Sequence, residues 1–216
     1  MGKIKQGILG GFNGTVGTVI GGSWKGIAYM RGKAQSIKNP NTPAQKGHRS
    51  KFALVVSFLQ QIKPFIDLGY KGASKMSPFN AAMSHIMKDG ITGEAPYYAI
   101  DFENILLSQG SLAPAKNATA TSANGEVNFT WTDNSANGEG SPDDVAMVLL
   151  YDDDYQEAII DTTSATRADA RLTIELPAAW NTDLVHPYIA FLAADGASVS
   201  DSIHLHSVTA TVSSGD

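Results

Sequence analysis

The sequence contains no cysteine among its 216 residues, which excludes disulfide bonds and thiolate metal sites as sources of stability. It also has no apolar run long enough to span a membrane. Its N-terminus lacks the apolar stretch and the cleavage site of a secretory signal. We therefore expect a protein of the cytoplasm, or of a particle that is released after assembly, without a membrane span.

Motifs of catalysis and nucleotide binding are missing as well. The glycines from Gly7 to Gly17 lack the Lys-Ser or Lys-Thr ending of a phosphate-binding loop and do not open a helix. Among the 5 histidines, His204 and His206 have the spacing that places two imidazoles on one face of a strand, but no third ligand lies nearby. The sequence predicts a protein that is not an enzyme and has no catalytic residues, small-molecule substrate or cofactor.

Charged residues make up only 17% of the chain, and they are divided unequally between its halves. Residues 1–110 contain 13 Lys and Arg against 5 Asp and Glu, a net charge of +8, whereas residues 111–216 contain 3 against 16, a net charge of −13. This division has three interpretations. Each half has its own solvated face, the basic half binds nucleic acid or another anionic surface, or the basic half of one copy contacts the acidic half of the next.

The first 33 residues contain 10 glycines among short β-prone runs. Alternation of apolar with small or polar residues from 14 to 31 predicts two or three short strands, with turns at Gly10-Gly11 or Gly21-Gly22. Because glycine has no side chain to pack, we expect these strands to need another surface against them. The large anchors of the segment are Phe12, Trp24 and Tyr29.

Two helices are predicted to follow. The first runs from Ala44 to about Ile62, and Pro64 interrupts it. Thr42 is its predicted N-cap, Pro43 occupies its first position, and Gln45 completes a capping box with Thr42. The second helix is predicted from Ser77-Pro78 to about Lys88, with Gly90 as its stop.

The first helix is predicted to have one apolar and one basic surface. Its apolar stripe contains Phe52, Val55, Val56, Leu59 and either Ile62 or Gln60. Its first two turns contain a basic cluster at the positive end of the helix dipole, formed by Lys46, Arg49 and Lys51 together with His48. Such a cluster favours an anion or an acidic surface opposite it.

From Leu112 onwards, short apolar segments alternate with turn clusters. Seven such segments with a tryptophan on an early one are typical of an immunoglobulin- or fibronectin-type β-sandwich. They span residues 118–123, 126–131, 145–151, 158–162, 170–176, 185–193 and 202–206. We predict an α+β fold, mainly β, in which glycine-rich N-terminal strands and two helices precede an immunoglobulin/fibronectin-like β-sandwich. The predicted domains are residues 1–111, a basic assembly region, and residues 112–216, an acidic sandwich.

The loop after the second of these segments has the spacing of an EF-hand calcium site. The oxygen ligands of this calcium candidate are Asp133, Ser135, Asn137, Glu139 and Asp144. However, Gly140 replaces the usual aliphatic residue, and strands rather than helices are predicted on both sides. The loop is therefore either an ordinary polar connection or a calcium site. The run Asp152-Asp153-Asp154 is interpreted as a solvated hairpin tip.

Four stretches of the chain carry a resemblance to known proteins. They are Gly17 to Gly26 with the pattern GTVIGGSWKG, Thr42-Pro43-Ala44-Gln45 with Arg49 and Phe52, Trp131-Thr132-Asp133-Asn134, and Phe191 to Gly196 with Val199-Ser200. In this order they resemble a widespread uncharacterised family of Bacteroidota proteins. The resemblance covers nearly the whole chain and implies the two-part architecture, but it implies no activity and no site residues. The shorter stretch from Asn39 to Gln45, with Arg49, resembles a motif of small phage-associated proteins.

These features together favour a structural, self-assembling protein, such as the subunit of a filament, a tube or a phage-like particle, with further copies of itself as partners. The predicted contact residues are Phe12, Trp24, Tyr29, Lys46, Arg49 and Lys51. One alternative is a module that binds nucleic acid or an anionic surface, using Lys25, Arg31, Lys33 and Lys38 besides the basic residues of the helix. A second alternative is binding of carbohydrate or a cell surface through the sandwich loops.

Overall fold

A computed structural model describes residues 2–4, 10–24, 26–36, 41–74, 76–138 and 140–211. The chain divides into two compact units, Met1–Thr42 and Pro43–Asp216. The first unit contains an antiparallel sheet with the strand order β1-β2-β3-β4. Its strands are β1 Lys3–Ile4, β2 Phe12–Val16, β3 Val19–Trp24 and β4 Ile27–Gly32.

Three helices open the second unit, namely α1 Pro43–Gln61, α2 Lys63–Gly69 and α3 Pro78–Asp89. The start of α1 at a proline is as predicted, and the chain bends by 88° between α1 and α2, where Pro64 lacks the N–H that would continue the helix. At the start of α3, the Ser77 side chain accepts a hydrogen bond from the Asn80 backbone N–H at 3.3 Å, and Gly90 ends the helix. Both predicted helices are confirmed, and α2 is an additional one.

Within the described ranges, no single helix is long and apolar enough to cross a membrane. By length and composition alone, α1 and α2 taken together across their bend meet that criterion.

The rest of the second unit is a hairpin followed by two antiparallel sheets. The hairpin pairs β5 Ile91–Glu94 with β6 Tyr97–Ile100. The three-stranded sheet has the order β11-β8-β7, and the five-stranded sheet has the order β10-β9-β12-β13, with β14 also paired to β12. The strands are β7 Lys116–Ala123, β8 Glu126–Thr132, β9 Val145–Asp152, β10 Glu157–Asp161, β11 Arg171–Glu175, β12 Leu184–Leu192, β13 Ile203–His204 and β14 Val208–Thr209. This arrangement is an immunoglobulin/fibronectin-like β-sandwich, so the predicted fold class is confirmed.

Two hydrophobic cores lie on opposite faces of the five-stranded sheet. On β9, Ala146, Val148 and Leu150 belong to the core between the two sheets, whereas Met147, Leu149 and Tyr151 belong to the core that contains the helices. Successive side chains of a strand point to opposite faces, and a strand that is covered on both faces forms a continuous apolar run. The helices therefore form a third layer on the sandwich.

The shared core changes the predicted domain boundary. We expected a division after residue 111, but the two compact units divide after Thr42. Residues of α1, α2 and α3 share a core with β9 and β12, so residues 43–111 belong to the same unit as the sandwich. The apolar stripe of α1 also differs from the prediction at one position, because Phe52 is 51% exposed whereas Phe58 is buried.

Candidate assembly surface

The N-terminal sheet is a meander; of the two alternative turn positions that we predicted, Gly10-Gly11 directly precedes β2, whereas Gly21-Gly22 is not a turn. Gly17 and Gly26 have positive φ angles of 56° and 85°, which favour glycine, and they lie between β2 and β3 and between β3 and β4. Gly21 and Gly22, which we predicted as a turn, instead lie inside β3. The predicted turn was wrong because these two glycines serve packing rather than chain reversal.

Aromatic rings cover the backbone at Gly21 and Gly22. A Cβ atom on Gly21 would lie 2.6 Å from the Phe12 ring, and one on Gly22 would lie 3.0 Å from the Tyr29 ring. The rings occupy the space that side chains would fill, an arrangement that offsets the weakness of glycine in a strand. Because adjacent strand residues face opposite ways, Phe12 and Tyr29 cover opposite faces of the sheet.

Large apolar side chains remain exposed on this sheet. Their exposed fractions are 55% for Val16, 69% for Trp24, 71% for Ile27, 46% for Tyr29 and 71% for Met30. The cross-strand pairs Trp24–Ile27 and Gly21–Met30 place Ile27 and Met30 on opposite faces. A sheet is stable when an apolar face packs against another layer, and exposed apolar patches of this kind mark contact surfaces.

The strand β4 forms one edge of the sheet, and all six of its residues are exposed. An edge strand presents backbone N–H and C=O groups that can pair with another strand, and charged residues usually oppose such pairing. The sequence of β4 is IAYMRG, in which Arg31 is the single charged residue. This edge is therefore suited to pairing as well as to packing.

The charge of the first unit has one sign. Residues 1–42 contain 6 Lys and Arg and no Asp or Glu, whereas residues 43–216 contain 10 against 21. The positive charge of the N-terminal half is thus concentrated in the glycine-rich unit. Arg31 and Lys33 lie in its described part, while Lys25 and Lys38, which we also assigned to an anion-binding surface, lie outside the described residues.

The basic cluster of the helix lies on α1, so the six predicted contact residues are divided between the two units. Lys46 and Arg49 are exposed, and Lys51 is half-buried with its ammonium 4.6 Å from the centre of the Tyr98 ring. This geometry is that of a cation–π interaction. The first turn of α1 contains no acidic residue, so the helix dipole adds to the positive charge there.

The calcium candidate loop is held by an ion pair at its last position. Asp144 is 2% exposed, and its Oδ2 accepts hydrogen bonds from Arg167 Nε at 3.1 Å and from the Ser141 backbone N–H at 2.8 Å. Asp133 is exposed and accepts the Ser135 backbone N–H at 2.9 Å. The Asn137 side chain and Glu139 lie outside the described residues, so calcium binding by this loop stays a prediction. In the described ranges, no group of three or more His, Cys, Asp or Glu side chains is placed to hold a metal ion.

Arg167 is fully buried and joins the loops at this end of the sandwich. Its Nη1 donates to Asn134 Oδ1 at 2.6 Å and its Nη2 to the Ala113 carbonyl at 3.0 Å. Its guanidinium carbon lies 3.9 Å from the centre of the Phe191 ring. Sequence reasoning missed this network. The sequence did contain one signal, because only 3 basic residues occur from 111 onwards. If one of these arginines is buried, it requires carboxylate and carbonyl partners.

The histidines of β12 and β13 lie in an aromatic cluster. The His186 ring stacks on Phe102 with centroids 3.9 Å apart, and its Nδ1 is 2.8 Å from the Ser207 hydroxyl. The strand β13 ends at His204, and His206 follows with φ 55°, so the two imidazoles do not share a strand face as predicted.

Burial, assisted by the neighbouring His204, lowers the pKa of His186 to about 4. A base with so low a pKa is a poor proton acceptor at neutral pH, so the contact with Ser207 does not resemble an activated nucleophile.

We expect His186 to make the stability of the second unit sensitive to acid. Its folded-state pKa of about 4 lies below the ordinary histidine pKa of 6.5, so the unfolded chain takes up the proton first. Stability should therefore decrease as the pH falls from about 6.5 to about 4. The variant His186→Phe keeps an aromatic ring but has no titrating group. Over this pH range its free energy of unfolding should therefore decrease by about 2 kcal/mol less than that of the wild type. Urea unfolding at neutral and acidic pH measures this difference. An identical decrease in the wild type and in His186→Phe would contradict the assignment.

The sheet order and the two cores define a protein with an immunoglobulin/fibronectin-like β-sandwich and a helical layer on one sheet. The chain belongs to DUF6266, a family of unknown function whose model matches residues 11–206, which confirms the predicted membership of an uncharacterised family. Among solved structures, it is similar to the fn3 domain of the human collagen alpha-1(XX) chain, with 14% identity and a TM-score of 0.36 over 50% of this chain and 92% of that one. A search of curated proteins gives no match.

Proposed function

We propose that this protein is a structural subunit that assembles with copies of itself through the N-terminal sheet. The observation that carries the proposal is the 71% exposure of both Ile27 and Met30 on an edge strand. Burial of one such side chain contributes about 1.5–3 kcal/mol. Because Ile27 and Met30 lie on opposite faces of the sheet, both are buried when neighbouring copies cover both faces, and together they supply a substantial part of the free energy of a specific interface.

A second copy of the chain is the partner that charge favours. The glycine-rich unit contains 6 basic residues and no acidic residue, whereas residues 43–216 contain 21 acidic residues. Contacts between the first unit of one subunit and the second unit of the next would therefore bring opposite charges together. Where such a contact is repeated head to tail, it extends into a ring or an open filament. Filament, tube and phage-like particle are all assemblies of this type.

A second candidate function is supported by the same unit. The same sheet carries exposed Trp24 and Tyr29, with Arg31 two residues after Tyr29 on β4, and aromatic rings next to positive charge are the features that bind single-stranded nucleic acid. In that case, the affinity for an oligonucleotide should fall steeply as the salt concentration rises. A plot of the logarithm of the binding constant against the logarithm of the salt concentration should have a shallower slope for the double variant Arg31→Glu, Lys33→Glu than for the wild type.

The assembly proposal is tested by a double substitution on β4. Ile27→Ser with Met30→Ser removes two exposed apolar side chains, so it should leave the stability of the second unit unchanged while raising the apparent dissociation constant of the assembly about 100-fold. Sedimentation velocity over a range of protein concentrations measures the dissociation constant. Leu184→Ser, which removes a 51% exposed leucine at the start of β12, is the matched control and should assemble like the wild type.

Two results would contradict the proposal. One is unchanged assembly of the Ile27→Ser, Met30→Ser variant, and the other is equal weakening by Leu184→Ser. Oligonucleotide binding by a chain that remains monomeric at all concentrations would instead support the nucleic-acid function.

A further inference from the structure

Asp152, which we interpreted from the sequence as part of a solvated hairpin tip, is 0% exposed at the end of β9. Its Oδ1 accepts hydrogen bonds from the backbone N–H groups of Asp154 at 2.9 Å and Tyr155 at 3.1 Å. These two bonds fix the orientation of the carboxylate. Its Oδ2 is buried and has no hydrogen-bond partner. The interpretation was wrong for Asp152 because the turn that follows β9 folds over this side chain.

Asp183 presents a second buried oxygen to the same place. It lies two residues before Val185, which is directly opposite Asp152 in the pairing of β12 with β9. Its backbone is held on both sides, since its N–H donates to the Trp180 carbonyl at 3.1 Å and its carbonyl accepts the Ala210 N–H at 2.8 Å. Its Oδ2 is buried without a hydrogen-bond partner, and its carboxyl group is within hydrogen-bonding reach of that of Asp152.

Two buried carboxylate oxygens without hydrogen-bond partners, on neighbouring carboxyl groups, require a cation or a shared proton. Folded proteins almost always satisfy buried polar atoms, and two like charges in contact at low dielectric oppose folding. The surrounding hairpin does not supply the missing charge, because its other charged residues are Asp153, Asp154 and Glu157. One shared proton would neutralise only one of the two buried charges, whereas a divalent cation neutralises both.

We propose that a divalent cation, with calcium as the best-suited ion, binds between the carboxylates of Asp152 and Asp183. Carboxylate oxygens are the ligands that calcium prefers, and calcium tolerates irregular geometry with water and backbone carbonyls completing its shell. Asp183 is only partly buried, and its neighbours Thr182 and Leu184 are exposed. This site is separate from the loop of residues 133–144, whose final carboxylate pairs with Arg167.

The bound cation joins two segments of the sandwich that are distant in sequence. It links the turn between β9 and β10 to the segment that leads into β12, and it binds the folded chain but not the unfolded one. Calcium should therefore raise the melting temperature in proportion to the logarithm of its concentration above the dissociation constant. With two carboxylates and, in the part of the chain that the structure describes, no third ligating side chain beside them, that constant is expected in the range of about 10⁻⁴ to 10⁻³ M.

The test uses the full chain after treatment with EDTA. The melting temperature is measured with calcium chloride, magnesium chloride and sodium chloride at equal ionic strength, and calcium binding is measured by isothermal titration calorimetry. We expect a melting temperature several degrees higher in about 5 mM calcium than in sodium chloride, and a single calorimetric site. Asp183→Asn should abolish both the shift and the heat of binding, and Asp152→Asn should do the same.

A matched control separates a specific site from general screening of acidic charge. Glu175→Gln removes one negative charge from an exposed position on β11 and should keep the calcium shift unchanged. Because Asp183 is less buried than Asp152, its variant remains informative even where Asp152→Asn fails to fold. A calcium shift that persists in Asp183→Asn overturns the proposal. A second result also overturns the proposal: calcium has no effect on the wild type, and Asp183→Asn melts at a higher temperature than the wild type in EDTA. That result is expected for two carboxyl groups that share a proton.

Discussion

Residues 112–216, expressed alone, should lose the cooperative unfolding that residues 43–216 retain. Removal of the helical segment uncovers the face of the five-stranded sheet that carries Met147, Leu149 and Tyr151 on β9 and Tyr188 on β12. Burial of each large side chain contributes about 1.5–3 kcal/mol. The free energy lost when these side chains are uncovered is therefore comparable to the net stability of an ordinary domain, about 5–15 kcal/mol. The fragment also loses hydrogen bonds, such as the one that the Leu107 backbone N–H donates to Ser202 Oγ at 2.8 Å.

The comparison requires both fragments under the same conditions. Urea unfolding followed by fluorescence reports on Trp131 and Trp180, which are both buried in the sandwich core. Residues 43–216 form one compact unit and serve as the control with a single sharp transition. A transition of equal sharpness and midpoint in residues 112–216 would show that the helical layer contributes little, and it would restore the domain boundary suggested by the sequence.

The substitution Asp144→Ala should destabilise residues 43–216 by about 3–5 kcal/mol, because it leaves the buried Arg167 guanidinium without its carboxylate. The Ser141 backbone N–H loses its acceptor at the same time. Asp143→Ala is the matched control, since the neighbouring Asp143 is exposed and its removal should change the free energy of unfolding by no more than about 0.5 kcal/mol. Chemical denaturation of the two variants measures the difference.

A double variant distinguishes the loss of an ion pair from the loss of packing volume. Asp144→Leu with Arg167→Met replaces the buried pair by apolar side chains and should recover part of the stability lost in Asp144→Ala, although the Ser141 N–H and the Asn134 side chain still lose their partners. A loss below about 1 kcal/mol in Asp144→Ala, or a loss equal to that of Asp143→Ala, would contradict the role of the pair.

Much of the fold could be predicted because its signals are local. Alternation and turn residues located seven of the eight described sandwich strands to within a few residues, all except β14, and the proline and serine at the helix starts located α1 and α3. The helical layer could not be predicted in this way. The sequence of β9 shows that both of its faces are buried, but a continuous apolar run is the same whether helices or a second sheet cover the outer face.

The candidate surface was predictable only in part. The glycine content and the aromatic residues pointed to the N-terminal strands, but Ile27 and Met30 were not singled out, since alternation does not reveal whether a face is covered. Partners that are distant in sequence were also missed. Asp144 pairs with Arg167, and Asp152 meets Asp183, only because the register of β9 and β12 and the connecting loops bring them together.

The central claim, assembly through the N-terminal sheet, is tested most directly by sedimentation velocity of the full chain and of residues 43–216 over the same concentration range. The full chain should form oligomers whose proportion increases with protein concentration and decreases with salt, because apolar burial and opposite charges both contribute. Residues 43–216 should sediment as a monomer at every concentration. A full chain that stays monomeric, or a shortened chain that assembles equally well, would contradict the account.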